Sequence, residues 1–446
     1  MTEPQTQRVA IVVLGEIGQS PRMQLHARAL VEHGLSVDVV AYAGDATPEW
    51  LRSHPRIGLW PLPAPGWAQR HRLPRALFVV YALCRVARIS FSLLWTLLVR
   101  IPRPDVILLQ TPPPVPTMAA CLIAARWRGA SAMIDWHNYG YTLLALHLGE
   151  EHWAVRMIHW SERRFGRLAT HHLCVSQAMQ RDLAVRWGIP GAVVLHDLPP
   201  AQFAEAGDAD RRRLFEGLIS IIPEPMARAL ATKSENRPGL LVSPTSWTAD
   251  EDFALLLDAL EHCDAAMAEE EAAAGGGVFP DLMVLLTGNG PQRQTYEQRI
   301  ASLDLRRIVV RTAWLASEDF SVLLGSADLG LCLHSSSSGV DLPMKIAEMQ
   351  GANLPVCAFD YGSCLREMVD PGETGLLFGD SATLSRQLRD LFRNYPAGAH
   401  HLAALRDALR ARPRRHWGEE WRDRAAPSFG LASSRDPRPP VERPVG

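Results

Sequence analysis

Short apolar runs alternate with helical patterns along most of this chain, and that alternation confines it to one fold class. Val9 to Leu14, Ser36 to Tyr42, Val106 to Gln110, Ala132 to Asp135, Leu173 to Val175 and Ala192 to Leu195 read as strands. Helical patterns near Pro21 to His33, Thr117 to Arg126 and Val155 to Phe165 fall between them. Short strands apolar on both faces form a parallel sheet covered by helices on either side. A second series begins at Leu240 to Ser243 and continues through Leu282 to Thr287, Ile308 to Arg311, Leu329 to Leu333 and Val356 to Phe359. The expected architecture is α/β, with two parallel-sheet domains whose strand ends face a central cleft. Ligands of such sheets bind beyond the carboxyl ends of the strands.

With 446 residues the chain is too long for one core and fits two domains of roughly 200 residues. We expect a first domain over 8–198, an interdomain connection rich in Pro, Ala, Glu and Arg with a helix or two over 199–238, and a second domain over 239–424 that includes closing helices. A Pro/Arg/Ser-rich tail, 425–446, is expected to be disordered. The Glu/Ala/Gly stretch Glu269 to Gly277 reads as a loop. A net charge of −2 gives no reason to expect nucleic acid as a partner. The seven cysteines are scattered and form no C-x-x-C pair, which suits buried thiols in a reducing compartment. The short polar start, with Arg8 just before the first strand, leads us to expect neither a signal peptide nor an N-terminal span.

Ala76 to Ile101 is apolar enough to suggest a membrane span, but Arg85 and Arg88 lie near its middle. A charge at the bilayer centre costs at least ~2.5 kcal/mol, which disfavours spanning. Two readings stand: a helix or helical hairpin lying in the membrane interface, or a pair of buried helices in an α/β domain.

Polar motifs gather at strand ends. After Leu329 to Leu333 comes a Ser/Gly loop with Ser337, Ser338 and Gly339, and then Asp341-Leu342-Pro343 opens a helix carrying Lys345 and Glu348. Proline suits a helix first turn, and the free amides and dipole there favour phosphate oxygens. Lys345 and Glu348, three apart, share a helix face. One offers a cation to a diphosphate and the other accepts hydrogen bonds from sugar hydroxyls, the chemistry of a nucleotide-sugar site. Ser246 and Trp247 follow the first strand of the second series, and Thr287, Gly288 and Gly290 follow another. They either surround a nucleotide or form plain turns. Trp314 either flanks a base or covers a core edge.

In the first domain, Gly15-Glu16-Ile17-Gly18-Gln19-Ser20-Pro21-Arg22 follows the first strand, with Ser20-Pro21 as helix cap and first residue. The spacing is not a dinucleotide fingerprint. Glu16 is the candidate general base, and Gly15, Gly18, Ser20 and Arg22 are candidates for acceptor binding; a structural turn is the alternative. Asp135-Trp136-His137-Asn138-Tyr139 sets an acid, an imidazole, an amide and aromatics together, residues suited to sugar rings and their hydroxyl rims. His137 is the second candidate base, and Asp135 is alternatively a turn cap. No P-loop, zinc-protease or serine-hydrolase pattern is present, and no D-x-D pair is set directly behind a strand.

The block Pro343-x-Lys345-x-x-Glu348 resembles that of GT-B glycosyltransferases, whose domains are Rossmann-like. The strings VVLGEIGQSPRMQLHA, IDWHNYGYTLL, FGRLATHHLCVSQAMQRDL, TSWTADEDFALLLDAL and GSADLGLCLHSSSSGVDLPMK resemble, in order over residues 8 to 420, the β-1,4-mannosyltransferases that act on chitobiosyl-diphosphodolichol. The resemblance implies GDP-mannose as donor, dolichyl- or polyprenyl-diphosphate chitobiose as acceptor, inversion, and the cytosolic face of the endoplasmic reticulum. Composition, periodicity and spacing alone supply no guanine, mannose or dolichol. Members commonly begin with a membrane anchor, so attachment is expected through 76–101 or through other mannosyltransferase subunits. Members commonly have Asp where Glu16 stands. No metal is expected to be required, with Mg²⁺ as a stimulant.

Overall fold

The computed structural model describes residues 6–44, 47–63, 75–199, 202–232, 237–413 and 416–431, and for 75–79 the backbone alone. The chain divides into two compact units, residues 1–196 with 417–446, and residues 197–416.

In the first unit the strands are β1 (Arg8–Glu16), β2 (Ser36–Tyr42), β3 (Ile57–Leu62), β4 (Val106–Thr111), β5 (Ser131–Trp136), β6 (His171–Cys174) and β7 (Val193–Val194). The helices are α1 (Pro21–Glu32), α2 (Glu49–Ser53), α3 (Arg75–Trp95), α4 (Thr117–Arg128), α5 (Gly140–Leu148), α6 (Trp153–Gly166) and α7 (Gln177–Val185). All seven strands are parallel, in the order β3-β2-β1-β4-β5-β6-β7. Strand order reverses between β1 and β4, and that crevice is where doubly wound sheets bind ligands. Val9, Ile11 and Val13 of β1 meet Leu30 of α1, Val37 and Val39 of β2 and Leu108 of β4 in one core.

The second unit repeats the plan. Helices α8 (Asp208–Gly217) and α9 (Glu224–Thr232) precede β8 (Gly239–Pro244), α10 (Phe253–Ala274), β9 (Leu282–Thr287), α11 (Arg293–Ala301) and β10 (Ile308–Ala313). Then come α12 (Ser317–Ser326), β11 (Leu329–Cys332), α13 (Met344–Gly351), β12 (Val356–Phe359), β13 (Gly375–Phe378), α14 (Ser381–Phe392) and α15 (His400–Ala411). The order β10-β9-β8-β11-β12-β13 is again parallel and reverses between β8 and β11.

Several expectations need correction. Residues 199–238 carry the two helices foreseen, but Phe203, Phe215 and Leu230 are buried in the core of the second unit, so they belong to that unit rather than connecting it. The second unit stops at 416. Residues from 417 return to the first unit through α16 (Trp417–Glu420), a wider π-type turn (Trp421–Ala425) and a tighter 3₁₀ turn (Ala426–Phe429). Ala425, Ala426 and Phe429 are buried there, which contradicts a disordered tail starting at 425; the tail from 432 lies outside the described residues. Glu269 to Ala274 continues α10, because Glu and Ala are strong helix formers, and Gly275 ends it at φ 76°.

Ala76 to Ile101 is one long helix whose last turn, Thr96–Arg100, widens to a π-type turn. Leu93 and Leu97 are buried, while Leu83, Phe91, Trp95 and Val99 are exposed. Val80–Arg100 is long and apolar enough to cross a membrane, yet only 22% of it is buried, so the buried-pair reading fails.

The return of the C-terminal segment has an energetic consequence. Trp421 is fully buried, stacks on Phe429 at 5.5 Å and donates its indole N–H to His26 Nδ1 at 3.0 Å. Replacing it with Ala removes a large core side chain and orphans a buried acceptor. The expected cost is about 3–5 kcal/mol, read as a lower denaturation midpoint for the first unit; an unchanged midpoint would show that the segment adds nothing.

Candidate functional site

Each unit has polar groups collected where its strand order reverses, and each collection is organised by a buried carboxylate. In the first unit β1 and β2 run in register up to Val13↔Ala41, and then Glu16 pairs with Tyr42. Leu14 and Gly15 form a bulge, a device that re-aims the following side chain. Glu16 ends the strand and opens a short turn, Ile17–Gln19. Its carboxylate accepts a hydrogen bond from Gln19 Nε2 at 3.4 Å and lies over Gly44, where a β-carbon would collide with it. Glu16 lines a cavity of about 640 Å³ with Gly15, Tyr42, Arg85 and, beyond β4, Pro113 and Pro116. This is the reversal point of the first sheet, with α3 as its outer wall. Burial raises the Tyr42 hydroxyl pKa, against the pull of Arg85 and Arg88.

Asp135, at the end of β5, is fully buried and holds three bases. Arg22 donates to it from Nε at 2.8 Å and Nη2 at 2.9 Å, His26 Nε2 lies at 3.1 Å and His137 Nε2 at 2.8 Å. Burial alone would raise this carboxyl, but Arg22, His137 and His26 hold it well below the usual range. His26, fully buried, is pushed down by desolvation despite Asp135; it accepts from Trp421 on Nδ1, so Nε2 carries its proton toward Asp135. Arg22 also donates to Leu195 O at 2.8 Å and is 2% exposed.

These contacts correct the acceptor-binding expectation for Arg22 and Asp135, which form a buried brace. Trp136 and Tyr139 are no sugar platform either. Both are buried; Trp136 donates to His172 Nδ1 at 3.2 Å, and Tyr139 stacks on Trp187 at 4.6 Å and donates to Asp182 at 2.8 Å. Asn138 Oδ1 accepts the Tyr139 amide at 2.7 Å. His137, whose side chain is 21% exposed, is the part of this string that reaches the surface in an oriented ring. Ser20 occupies the cap position of α1 with Pro21 first in the helix, but its hydroxyl points to Glu16 O at 3.4 Å and caps nothing; Gly18 O accepts from Gln24 Nε2 at 3.2 Å.

In the second unit the organiser is Glu251, 3% exposed, which the sequence reasoning missed. It accepts hydrogen bonds from Thr245 Oγ1 at 2.6 Å, Ser246 N at 2.9 Å and Trp247 N at 3.0 Å, and it pairs with Lys345 of α13. His334, just past β11, was missed too. Its Nδ1 meets Asp250 Oδ2 at 3.0 Å and its Nε2 faces Asp341 Oδ2 at 3.5 Å, an ion-pair separation without hydrogen-bond geometry. Burial works against protonation, yet Asp250 and Asp341 raise this imidazole to about 9. The adjacent acids Asp250-Glu251 after the first strand's loop, and a His closing β11, were the available signals.

Asp341 also accepts from Ser336 Oγ and from Ser338 Oγ at 3.0 Å, and the Ser336 hydroxyl takes the Gly339 amide at 2.8 Å. Gly339 has φ 71°, so the loop with Ser337 is wound tightly beside the start of α13. The helix begins at Met344. Pro343 caps it in an extended conformation instead of forming its first residue, and Leu342 is buried. Lys345 and Glu348 do share a helix, but Lys345 is paired with Glu251. An ammonium has three donors, so that pair leaves capacity for phosphate. Burial lifts Glu348 to about 7, with Lys345 opposing and Asp197 adding to the rise.

Trp247 is corrected: it is fully buried, at φ 52°, stacked on Phe253 at 4.5 Å with its N–H on Gly288 O at 3.2 Å. The glycines after Thr287 serve close backbone approach. A β-carbon on Gly288 would strike Thr245 O, and one on Gly290 would strike Ser246 O. Trp314, beyond β10, is 68% exposed, so it covers no core edge.

Comparison with known proteins follows these boundaries. The model of a glycosyl transferase 4-like domain matches residues 18–198, and that of glycosyl transferases group 1 matches residues 256–394. The chain is 41% identical to the UDP-glycosyltransferase TURAN of Arabidopsis thaliana, covering 94% of this chain and 96% of that one. It is 40% identical to the chitobiosyldiphosphodolichol beta-mannosyltransferase of Homo sapiens, over 93% and 90% of the two chains. The protein of the same name from Dictyostelium discoideum is 35% identical, over 86% and 84%. Among solved structures, HepE of Anabaena with UDP and glucose has a TM-score of 0.61 at 16% identity, over 91% and 94%. Sucrose-phosphate synthase of Thermosynechococcus elongatus gives 0.62 at 14%, also over 91% and 94%.

The His334 cluster predicts a pH signature. A folded value near 9 against an ordinary 6.5 means its stabilisation is complete below about pH 6.5 and is lost as pH rises through about 9. The upper bound is ~3 kcal/mol. Thermal melts from pH 6 to 10 should show this loss in the parent and not in His334→Gln; parallel curves would contradict the assignment.

Proposed function

Because this chain belongs to the chitobiosyldiphosphodolichol β-mannosyltransferase family of glycosyltransferases, it is a hexosyltransferase, and we propose that it moves mannose from GDP-mannose to O4 of the distal GlcNAc of GlcNAc₂-diphosphate-dolichol. The observation that carries this reading is the Glu16 carboxylate, aimed by a bulge into a cavity at the reversal point of the first sheet.

Inversion requires one in-line displacement. O4 attacks the anomeric carbon and its proton passes to Glu16. The bond from that carbon to the GDP oxygen breaks on the opposite face, and the electron pair leaves with the diphosphate. A carboxylate within reach of the attacking hydroxyl is worth ~10²–10⁴ in rate. His137, oriented by Asp135, is the second candidate for that proton. On the donor side, the first-turn amides of α13, the remaining donors of Lys345 and the Ser337–Gly339 loop meet the leaving charge, a contribution of several kcal/mol when preorganised. Glu348 accepts from the ribose hydroxyls, and the exposed Trp314 flanks the base. The mechanism asks no metal of the protein, with Mg²⁺ as a stimulant in solution. The reading places the enzyme on the cytosolic face of the endoplasmic reticulum membrane, with α3 at the bilayer surface and other mannosyltransferases as neighbours.

A UDP-sugar donor is the second reading, favoured by the name of the Arabidopsis relative. Radiolabelled GDP-mannose and UDP-sugars, each offered with GlcNAc₂-diphosphate-phytanyl, separate the two. Product from GDP-mannose alone supports the proposal; product from UDP-glucose or UDP-GlcNAc alone replaces it. With the productive donor, Glu16→Gln should cut kcat by about 10³-fold and leave GDP binding within twofold. Near-parental turnover, together with a collapse in His137→Gln, would move the base to His137.

A further inference from the structure

The outer helices of the first unit carry apolar side chains at helical spacing where a core stripe would be buried, and these are exposed. On α4, Ile123 and Trp127 lie one turn apart and are 53% and 80% exposed. On α6, Trp153, Met157 and Trp160 recur at i, i+4 and i+7, and all three are exposed. A groove of about 700 Å³ runs between the two helices, lined by Leu122, Trp127, Phe165 and Leu168, and Trp160 meets Phe165 edge-on at 6.2 Å. Helix α4 packs against both α3 and α6. Arg128 fastens its end to the turn after α3, donating to Leu98 O at 2.9 Å and Ile101 O at 2.8 Å. The apolar patches of α4 and α6 therefore continue the exposed stripe of α3.

Charge on these helices has one sign. From Val80 to Arg100 and throughout α4 and α6, the single acid is Glu162, and it is buried, accepting the Gly140 amide at 2.7 Å and the Tyr141 amide at 3.1 Å. Exposed cations are plentiful: Arg88, Arg100, Arg126, Arg156, Arg163 and Arg164. Glu150 and Glu151 stand outside the helices, in the loop ahead of α6. Trp and aliphatic side chains interleaved with arginine match an anionic bilayer interface, where rings sit at headgroup depth and guanidinium groups meet lipid phosphate.

We propose that the α4–α6 face is a membrane-contact surface, seated on an anionic bilayer together with α3, so that the first unit rests on lipid through a broad three-helix footprint. The inference stands on surface chemistry and not on which sugar is transferred.

The experiment is co-sedimentation of the whole protein with phosphatidylcholine vesicles containing 30% phosphatidylserine. Trp127→Glu with Trp160→Glu should weaken binding at least tenfold, and raising the salt should weaken parental binding. Val185→Glu, at an exposed apolar site on α7, should bind as the parent does. Circular dichroism and turnover of a short-chain, water-soluble acceptor should be unchanged in all variants. Parental vesicle binding by the double variant, with loss only in Phe91→Glu, would confine the contact to α3 and overturn the proposal. A fall in molar mass of the double variant by light scattering, without loss of vesicle binding, would assign the face to a second copy of the chain and also overturn it.

Discussion

Glu251 is the interaction on which the donor-side geometry rests. One buried carboxylate accepts two consecutive backbone amides and a hydroxyl from the loop after β8, and its charge is met by Lys345 of α13. Strands β8 and β11 are neighbours at the point where the sheet reverses, so their following loops leave in opposite directions. Without that carboxylate the Thr245 hydroxyl and the Ser246 amide would lose this partner, and the buried Trp247 amide would be left with Thr245 Oγ1 alone, in a setting where an unmet buried polar group costs ~1–3 kcal/mol. The same pair fixes where Lys345 sits relative to the amides of the α13 first turn. Removing Lys345 would leave the buried Glu251 charge without its cation, held by neutral donors only.

Asp135 performs the corresponding task in the first unit with different partners. It joins β5 to α1 through Arg22 and His26, and His26 in turn holds Trp421 of the returning C-terminal segment. His137 is the exposed member of that network, so its orientation is set by residues otherwise occupied in holding the unit together. Fold and chemistry are thus coupled there. Around Glu16 they are less so, because its direction comes from the bulge at Leu14-Gly15 and from the space left by Gly44.

Much of this was legible in the residues. Alternating apolar strands and helices predict two parallel sheets, and Glu16, His137, Lys345 and Glu348 do lie at or beyond strand ends, as the pattern implies. What could not be read was burial and pairing across long sequence separations. Trp136, Tyr139 and Trp247 carry the composition of a sugar platform, but whether an aromatic ring faces solvent or core depends on neighbours such as Trp187 and Phe253 that no local pattern identifies. Arg22 and Asp135 read equally well as ligands or as an internal brace until the fold brings them together across a separation of 113 positions. Glu251 and His334 were overlooked because each gains meaning only from a partner on another loop. The tail misled through composition: Pro, Arg and Ser dominate after 425, while Trp421, Ala426 and Phe429 are enough to anchor its beginning.

The central claim is that the strand-end region of the second unit grips a diphosphate through Lys345 and the start of α13. Comparing GDP with guanosine by titration calorimetry, in the parent and in Lys345→Gln, isolates the diphosphate contribution from any general loss of order, because both ligands share the base and ribose. The account predicts that the parent binds GDP at least a hundredfold tighter than guanosine, about 2.7 kcal/mol, and that this ratio falls at least tenfold in the variant. An unchanged ratio would contradict it.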